Sequence, residues 1–130
     1  VLHLGNERKS YSLILMEMVF IDEVNVLELF GGIGALRKAL IRQKIPHKVV
    51  DYVEIDKNCV RSYHALYNAD FTPKDIVKYH APNERVYLLM YGSPCQDFSR
   101  VGQKKGGVNG TGTRSSLLFE TIRIIEEMDM

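Results

Sequence analysis

The sequence predicts an α/β fold built on a parallel sheet, and three observations carry that expectation. Short apolar runs rich in β-branched residues stand at 24–30, 48–55 and 86–91. Segments of helical spacing alternate with them, and the first run ends on a cluster of glycines. Runs of 4–8 apolar residues between turn signals read as buried strands, and strands alternating with helices imply right-handed crossovers. The expected sheet has about four strands in local order 3-2-1-4, with ligands bound beyond the strand carboxyl ends where strands 1 and 4 diverge.

Each element has its own warrant. Val24 to Phe30 (Val-Asn-Val-Leu-Glu-Leu-Phe) is the first strand. Ala35 to Lys44 follows as a helix, with apolar Leu36, Ala39 and Leu40 and with Arg42 and Lys44 at the end that the helix dipole favours for cations. Pro46 stops it. Lys48 to Ile55 is the second strand, and Asp56 is placed to cap a helix over Lys57 to Tyr67. Asp75-Ile76-Val77 is expected as a short third strand. Val86 to Tyr91, uniformly apolar, is expected as a central strand buried on both faces. A glycine-rich, aperiodic stretch from Gly92 to Thr113 is long enough to suggest a functional loop. Ser115 to Met128 closes the chain as an amphipathic helix with Leu118, Ile122 and Ile125 on one face.

Composition bounds the function. The 130 residues suffice for one domain, 24–130, and 45% hydrophobic with 25% charged residues is ordinary for a globular protein. Seventeen basic against sixteen acidic residues give a formal charge of +1, too little by itself to suggest a nucleic-acid partner. Two cysteines make no disulfide framework, and no Cys/His cluster has zinc-ligand spacing, so no metal is expected. No apolar run approaches the about 20 residues needed to span a bilayer. Residues 1–23 lack the marks of a signal peptide and read as an N-terminal extension, either read-through or vector-derived.

The chemistry sits in four places. Glu28-Leu-Phe-Gly-Gly-Ile-Gly34 lies where a strand turns into a helix, and glycines there let backbone approach a ligand closely. Glu54, at the end of the second strand about twenty residues on, can accept the ribose hydroxyls of a nucleoside cofactor. Arg37 stands where the dinucleotide fingerprint needs its third glycine, which favours a cofactor without a pyrophosphate. Asp75 is either a carboxylate for an adenine amino group, with Ile55 and Ile76 on the ring faces, or a solvated turn residue. Gly92-Ser-Pro-Cys-Gln-Asp-Phe-Ser99 puts Cys95 at the mouth of a central strand, fixed by Pro94, where a thiol is suited to attack rather than packing. Cys59, inside a helix, reads as inert. None of His3, His47, His64 and His80 is spaced as a partner base, which argues against a cysteine protease.

Leu-Phe-Gly-Gly-Ile-Gly-Ala, Val-Glu-Ile-Asp-Lys-Asn, Gly-Ser-Pro-Cys-Gln-Asp-Phe-Ser and Gly-Thr-Arg-Ser-Ser-Leu-Leu-Phe-Glu occur in an order and spacing that resembles the cytosine-C5 DNA methyltransferases. The resemblance spans about Val24 to Glu127 and has the flavour of bacterial or phage restriction-modification enzymes. It implies a Rossmann-like methyltransferase fold and S-adenosyl-L-methionine as cofactor. It implies that Cys95 attacks C6 of a cytosine flipped out of double-stranded DNA, so that C5 takes the methyl group. Phe30, Gly32 and Gly34 would line the cofactor pocket. Glu54 would bind the ribose, Ile55 and Ile76 would pack on the adenine, Asp75 would accept its amino group, and Pro94 would shape the pocket. Gln96 and Ser99 would touch the extruded nucleotide, and Arg100 and Arg114 would contact phosphates. A cytoplasmic setting, in a bacterial cell or phage-infected host, follows from the same resemblance.

Two departures stand out. Glu28 and Gly31 replace the family's more common Asp and Ala or Ser. The family's Glu-Asn-Val motif, its downstream arginine motif, its target-recognition region and its C-terminal motif are missing, so the catalytic domain reads as truncated. That leads to three expectations: an open sheet edge at Val86 to Tyr91, poor stability, and near-inert catalysis by this chain alone. A second chain supplying the missing motifs, or a non-catalytic cofactor-binding module, are the other readings. A nicotinamide oxidoreductase is disfavoured by the glycine pattern and the Pro-Cys-Gln loop.

Overall fold

Alternating apolar residues give β1 (Val24–Leu29), β2 (His47–Val53) and β3 (Leu88–Tyr91), and all three pair in parallel in the order β2-β1-β3. The computed structural model describes residues 22–92 and 117–128. Three helices accompany the sheet: α1 (Ala35–Arg42), α2 (Lys57–Tyr67) and α3 (Leu117–Glu127).

The expected third strand is not there, and the sheet described has three strands rather than four. Ile76–Lys78 is a turn of 3-10 helix. The Asp75 carboxylate accepts from the Val77 amide at 3.1 Å, and the Asp75 carbonyl accepts from Lys78 at 3.0 Å. This local side-chain bond offers the backbone an alternative to a sheet ladder, and it wins over the β-propensity of Ile-Val. One bond alone, from Lys74 N to the Glu54 carbonyl at 2.8 Å, continues along the outer side of β2. The expected order 3-2-1-4 is therefore realised as 2-1-4.

Other boundaries shift too: β2 runs His47–Val53 rather than Lys48 to Ile55, and β3 begins at Leu88 rather than Val86. The first helix ends at Arg42 rather than Lys44, because Lys44 turns left-handed (φ 55°). Lys44 N then donates to the Ile41 carbonyl and Ile45 N to the Leu40 carbonyl, each at 3.0 Å, which is the paired closure of a Schellman motif. In β2 the pairing slips: Val26 faces Val49, but Leu27 faces Asp51, leaving Val50 as an extra residue. The bulge lets Tyr52 face α2 and Val53 face the opposite side. The second helix spans Lys57–Tyr67 as expected, with the Asp56 carboxylate accepting from Asn58 N at 2.7 Å and Cys59 N at 3.1 Å.

The two faces of the sheet are packed differently. On one, Leu27, Leu29 and Val53 meet Ile76, Val86 and Ile124 in an aliphatic core. On the other, Tyr52, Val60 and Tyr63 are buried with Val49, Tyr67, Ala69 and Phe71 around them. The closing helix buries Thr121 and Ile124 and packs Leu117 and Met128 on the aliphatic core. Leu118, Ile122 and Ile125, the stripe expected from the sequence, stay about 40% exposed (37%, 43% and 40%). This helix carries two apolar stripes, and its spacing does not say which one the core takes.

Arg123 locks α3 to the 3-10 turn. Its Nη2 donates to the carbonyls of Ile76 (3.0 Å) and Tyr79 (2.9 Å), while Glu120 (2.8 Å) and Glu127 (2.6 Å) hold the rest of the guanidinium.

Candidate functional site

The link from β1 to α1 visits the left-handed region three times in five residues: Phe30 (φ 52°), Gly32 (φ 54°) and Gly34 (φ 83°). Glycine adopts this conformation freely, whereas phenylalanine does so at a cost of about 1–3 kcal/mol. Phe30 is therefore a strained residue, placed where β1 and β3 part. Gly92 N donates to the Leu29 carbonyl at 3.1 Å, and a Cβ on Gly92 would sit 2.9 Å from the Phe30 carbonyl oxygen.

The three glycines of the loop are glycines for different reasons. A Cβ on Gly31 would lie 2.5 Å from Cε2 of Tyr52. One on Gly34 would strike the rings of Tyr67 and Tyr63. One on Gly32 would meet nothing within 4 Å, so this position faces open space. The loop is also held by side chains on both sides of its backbone. Glu54 Oε2 accepts from Gly32 N at 3.0 Å, and its other oxygen accepts from Asp56 N at 3.0 Å. From beneath, the hydroxyl of Tyr52 donates to the Gly32 carbonyl and that of Tyr67 to the Gly34 carbonyl, both at 2.5 Å.

Beside Glu54, at the carboxyl ends of β1 and β2, a small cleft of about 70 Å³ is lined by Phe30, Val53, Glu54, Ile55, Lys74, Asp75, Ile76 and Leu117. Five residues singled out from the sequence, Phe30, Glu54, Ile55, Asp75 and Ile76, thus share one wall system. Ile55 is 64% exposed and Ile76 only 4%, so one offers a free apolar surface and the other forms the floor. Gly32 adjoins the cleft through Glu54, whereas Gly34 is buried against the tyrosines below the loop. Lys74 also lines the cleft, but its ammonium is engaged by Asp51 at 2.6 Å. Pro94, Cys95, Gln96, Ser99, Arg100 and Arg114 lie outside the described residues.

A larger groove of about 290 Å³ lies between Ile33, Ala35, Lys38, Leu66 and Tyr67. It is mostly apolar and brings no carboxylate to bear, so the chemistry belongs to the smaller cleft, where hydrogen-bond acceptors converge.

Sequence reasoning missed the polar network under the loop. Glu28 is 1% exposed and accepts a hydrogen bond from the Tyr63 hydroxyl, which in turn accepts from Arg37 Nη1 at 3.1 Å. Its second oxygen, Oε1, is buried with no partner among the described residues. Burial pushes the Glu28 carboxyl above its ordinary value, and the bond from Tyr63 and the Arg37 charge pull it only partly back. The phenols of Tyr52 and Tyr63 are pushed well above theirs, first by burial, so both stay protonated as donors. Arg37, the residue that breaks the dinucleotide glycine pattern, lies over the rings of Tyr63 and Tyr67 at 5.5 and 4.8 Å. The cue was the set of aromatics at Tyr52, Tyr63, Tyr67 and Phe71, which no short motif flags. The Cys59 thiol is raised mainly by burial, which disfavours the reactive thiolate.

Comparison with known proteins identifies the family. The pattern of the C-5 cytosine-specific DNA methylases matches residues 24–129. The chain is 37% identical over 109 residues to the orphan methyltransferase M.Rho11sI of Bacillus phage rho11s, covering 82% of this chain and 21% of that protein. It is 38% identical over 103 residues to the type II methyltransferase M.SsoII of Shigella sonnei, covering 78% and 26%. With M.DsaV of Dactylococcopsis salina the identity is 33% over 106 residues, covering 81% and 28%. The matched segments thus make up about a fifth to somewhat over a quarter of these relatives. The crystal structure of the S. pombe Dnmt2 methyltransferase shares the fold, with a TM-score of 0.64 at 23% identity over 83% of this chain and 33% of that one. With its glycine loop, its acidic residue closing β2 and a family pattern that runs nearly end to end, the chain belongs to the C-5 cytosine-specific DNA methylases.

Proposed function

We propose that this chain is the cofactor-binding and nucleophile-bearing part of an S-adenosylmethionine-dependent DNA (cytosine-5-)-methyltransferase. The observation that carries the reading is the meeting of Glu54, Asp75, Ile55, Ile76 and Phe30 around one cleft at the strand carboxyl ends. Two carboxylates and apolar surface suit a nucleoside: Glu54 would take the ribose hydroxyls, Asp75 the adenine amino group, and Ile55 and Ile76 the ring faces. The open space over Gly32 gives backbone a place to approach the rest of the cofactor. The donor set fits a cofactor without a pyrophosphate, because Arg37 packs on tyrosines instead of leaving a third glycine free. When bound, the cofactor supplies an electrophilic methyl group.

This chain's own contribution to catalysis is Cys95, three residues beyond Gly92 in the sequence. Its thiolate would add to C6 of a cytosine extruded from duplex DNA, and the C5–C6 π pair would move towards C5, which becomes nucleophilic. C5 would then take the methyl group as the methyl–sulfur bond breaks with its electron pair left on sulfur. Loss of the C5 proton to a solvent base, with expulsion of the Cys95 thiolate, would restore the aromatic ring. Pro94 would orient Cys95, Gln96 and Ser99 would lie against the extruded nucleotide, and Arg100 and Arg114 would pair with phosphates. A free thiol nucleophile suits the reducing cytoplasm. DNA methylation as such is proposed for the whole protein, because the matched segments make up only 21–28% of these relatives.

Calorimetric titration of the chain with S-adenosylmethionine and with NAD tests the cofactor reading. Saturable binding of the first, none of the second, and loss of binding in Glu54→Ala are expected; preference for NAD would refute it. Transfer of a labelled methyl group to duplex DNA by the protein with the missing motifs supplied, abolished by Cys95→Ser, tests the nucleophile; the 130-residue chain alone is expected to give no transfer.

A further inference from the structure

We propose that Tyr52 and Tyr67 are positioning residues for cofactor binding, because their hydroxyls fix the Gly32 and Gly34 carbonyls and so set the shape of the glycine loop. The proposal rests on the reading of the adjoining cleft as the cofactor site. Tyr52 comes from β2 and Tyr67 from the last turn of α2, so two elements remote in sequence converge on one loop. Each ring fills the space a Cβ would need, Tyr52 under Gly31 and Tyr67 under Gly34. Each hydroxyl then caps a carbonyl next to that contact, at 2.5 Å.

The Gly32 peptide unit is therefore gripped from both sides. Glu54, the ribose acceptor in the proposed reading, holds its N–H, while Tyr52 is bonded to the carbonyl of the same residue. Gly32 is left-handed, and a Cβ there would meet nothing within 4 Å, so no packing on that side holds it in this conformation. If the loop relaxed, Glu54 would lose its backbone partner and its fixed direction towards the cleft. Tyr63 provides an internal contrast. It stacks on Tyr52 with centroids 3.9 Å apart, yet its hydroxyl is directed to Glu28 and not to the loop.

Tyr52→Phe, Tyr67→Phe and Tyr63→Phe in the full 130-residue chain separate positioning from mere packing, since each keeps its ring. In the ligand-free chain, amide exchange across residues 30–35 should speed up about tenfold in Tyr52→Phe and Tyr67→Phe and stay unchanged in Tyr63→Phe. S-adenosylmethionine affinity should fall about threefold to tenfold in the first two, the range that one neutral hydrogen bond supports, and hold in the third. Unchanged loop exchange in Tyr52→Phe and Tyr67→Phe would overturn the proposal, as would an equal effect of Tyr63→Phe. Faster loop exchange with unaltered affinity would overturn the link to binding. If the unaltered chain binds no S-adenosylmethionine, the cofactor reading fails, and the exchange data alone decide whether the tyrosines hold the loop.

Discussion

The two faces of this small sheet solve the burial problem in opposite ways. On the α3 side, Leu27, Leu29, Val53, Val86 and Ile124 form an aliphatic core that needs only shape. On the α2 side Tyr52, Tyr63 and Glu28 are buried beside Val60, and each of these three must place a polar atom. Three of the tyrosine hydroxyls are satisfied by the glycine loop and by Glu28. The difference teaches where function is anchored. The aliphatic face carries the sheet and the 3-10 turn, while the polar face carries the shape of the loop beside the cleft.

The largest perturbation should come from the polar face. Gly34→Ala forces a methyl group into the Tyr63 and Tyr67 rings at φ 83°, and denaturant unfolding should register a loss of about 4 kcal/mol. A loss under about 1 kcal/mol would show that the rings can move aside and that the loop is less tightly held than the contacts imply. Next, Ile124→Ala opens the aliphatic core where α3 docks and should cost about 3 kcal/mol by the same measurement. Its cofactor affinity, referred to the folded fraction, should hold, which would sharpen the contrast between the faces.

Glu28 gives the polar face a pH dependence of its own. Because burial raises its folded-state pKa above the ordinary 4.5, the folded chain holds this proton more tightly than the unfolded chain does. Its contribution to stability is full below pH 4.5 and is lost as pH rises through the raised value. Glu28→Gln should remove that decline, so melting temperatures of the variant and the parent should diverge as pH is raised from 4 towards 7. Parallel curves would show that Glu28 does not titrate in this range. The smallest effect is expected at α2's N-terminus, which both faces depend on least. Asp56→Ala removes the cap from Asn58 and Cys59 and should cost about 1 kcal/mol in thermal unfolding.

Much of the fold was legible in the sequence because its signals are local. The apolar run at Val24, the Asp56 cap and the helix to Tyr67 depend on neighbours within a few residues, and they stand where expected. Glu54 and Ile55 could be placed at the site because strand ends in a parallel sheet share an edge, whereas Asp75 and Ile76 reach it from a 3-10 turn. The misses were competitions the sequence does not resolve. Asp75-Ile76-Val77 has β-propensity, yet a carboxylate two residues from an amide closed a turn instead. The closing helix has two apolar stripes, and docking on the aliphatic core selected Leu117, Thr121, Ile124 and Met128 over Leu118, Ile122 and Ile125.

The sequence by itself determined the family, the parallel α/β plan and the identity of Cys95 as candidate nucleophile, since ordered motifs and hydrophobic periodicity need no three-dimensional context. Only the tertiary structure decided which glycine is free and which are pinned. Gly31 and Gly34 owe their identity to tyrosines about twenty and more than thirty residues away, while Gly32 owes its own to a left-handed turn beside open space. The physical reason is range: backbone preference is written residue by residue, whereas a missing Cβ is explained only by what packing brings into the space it would fill.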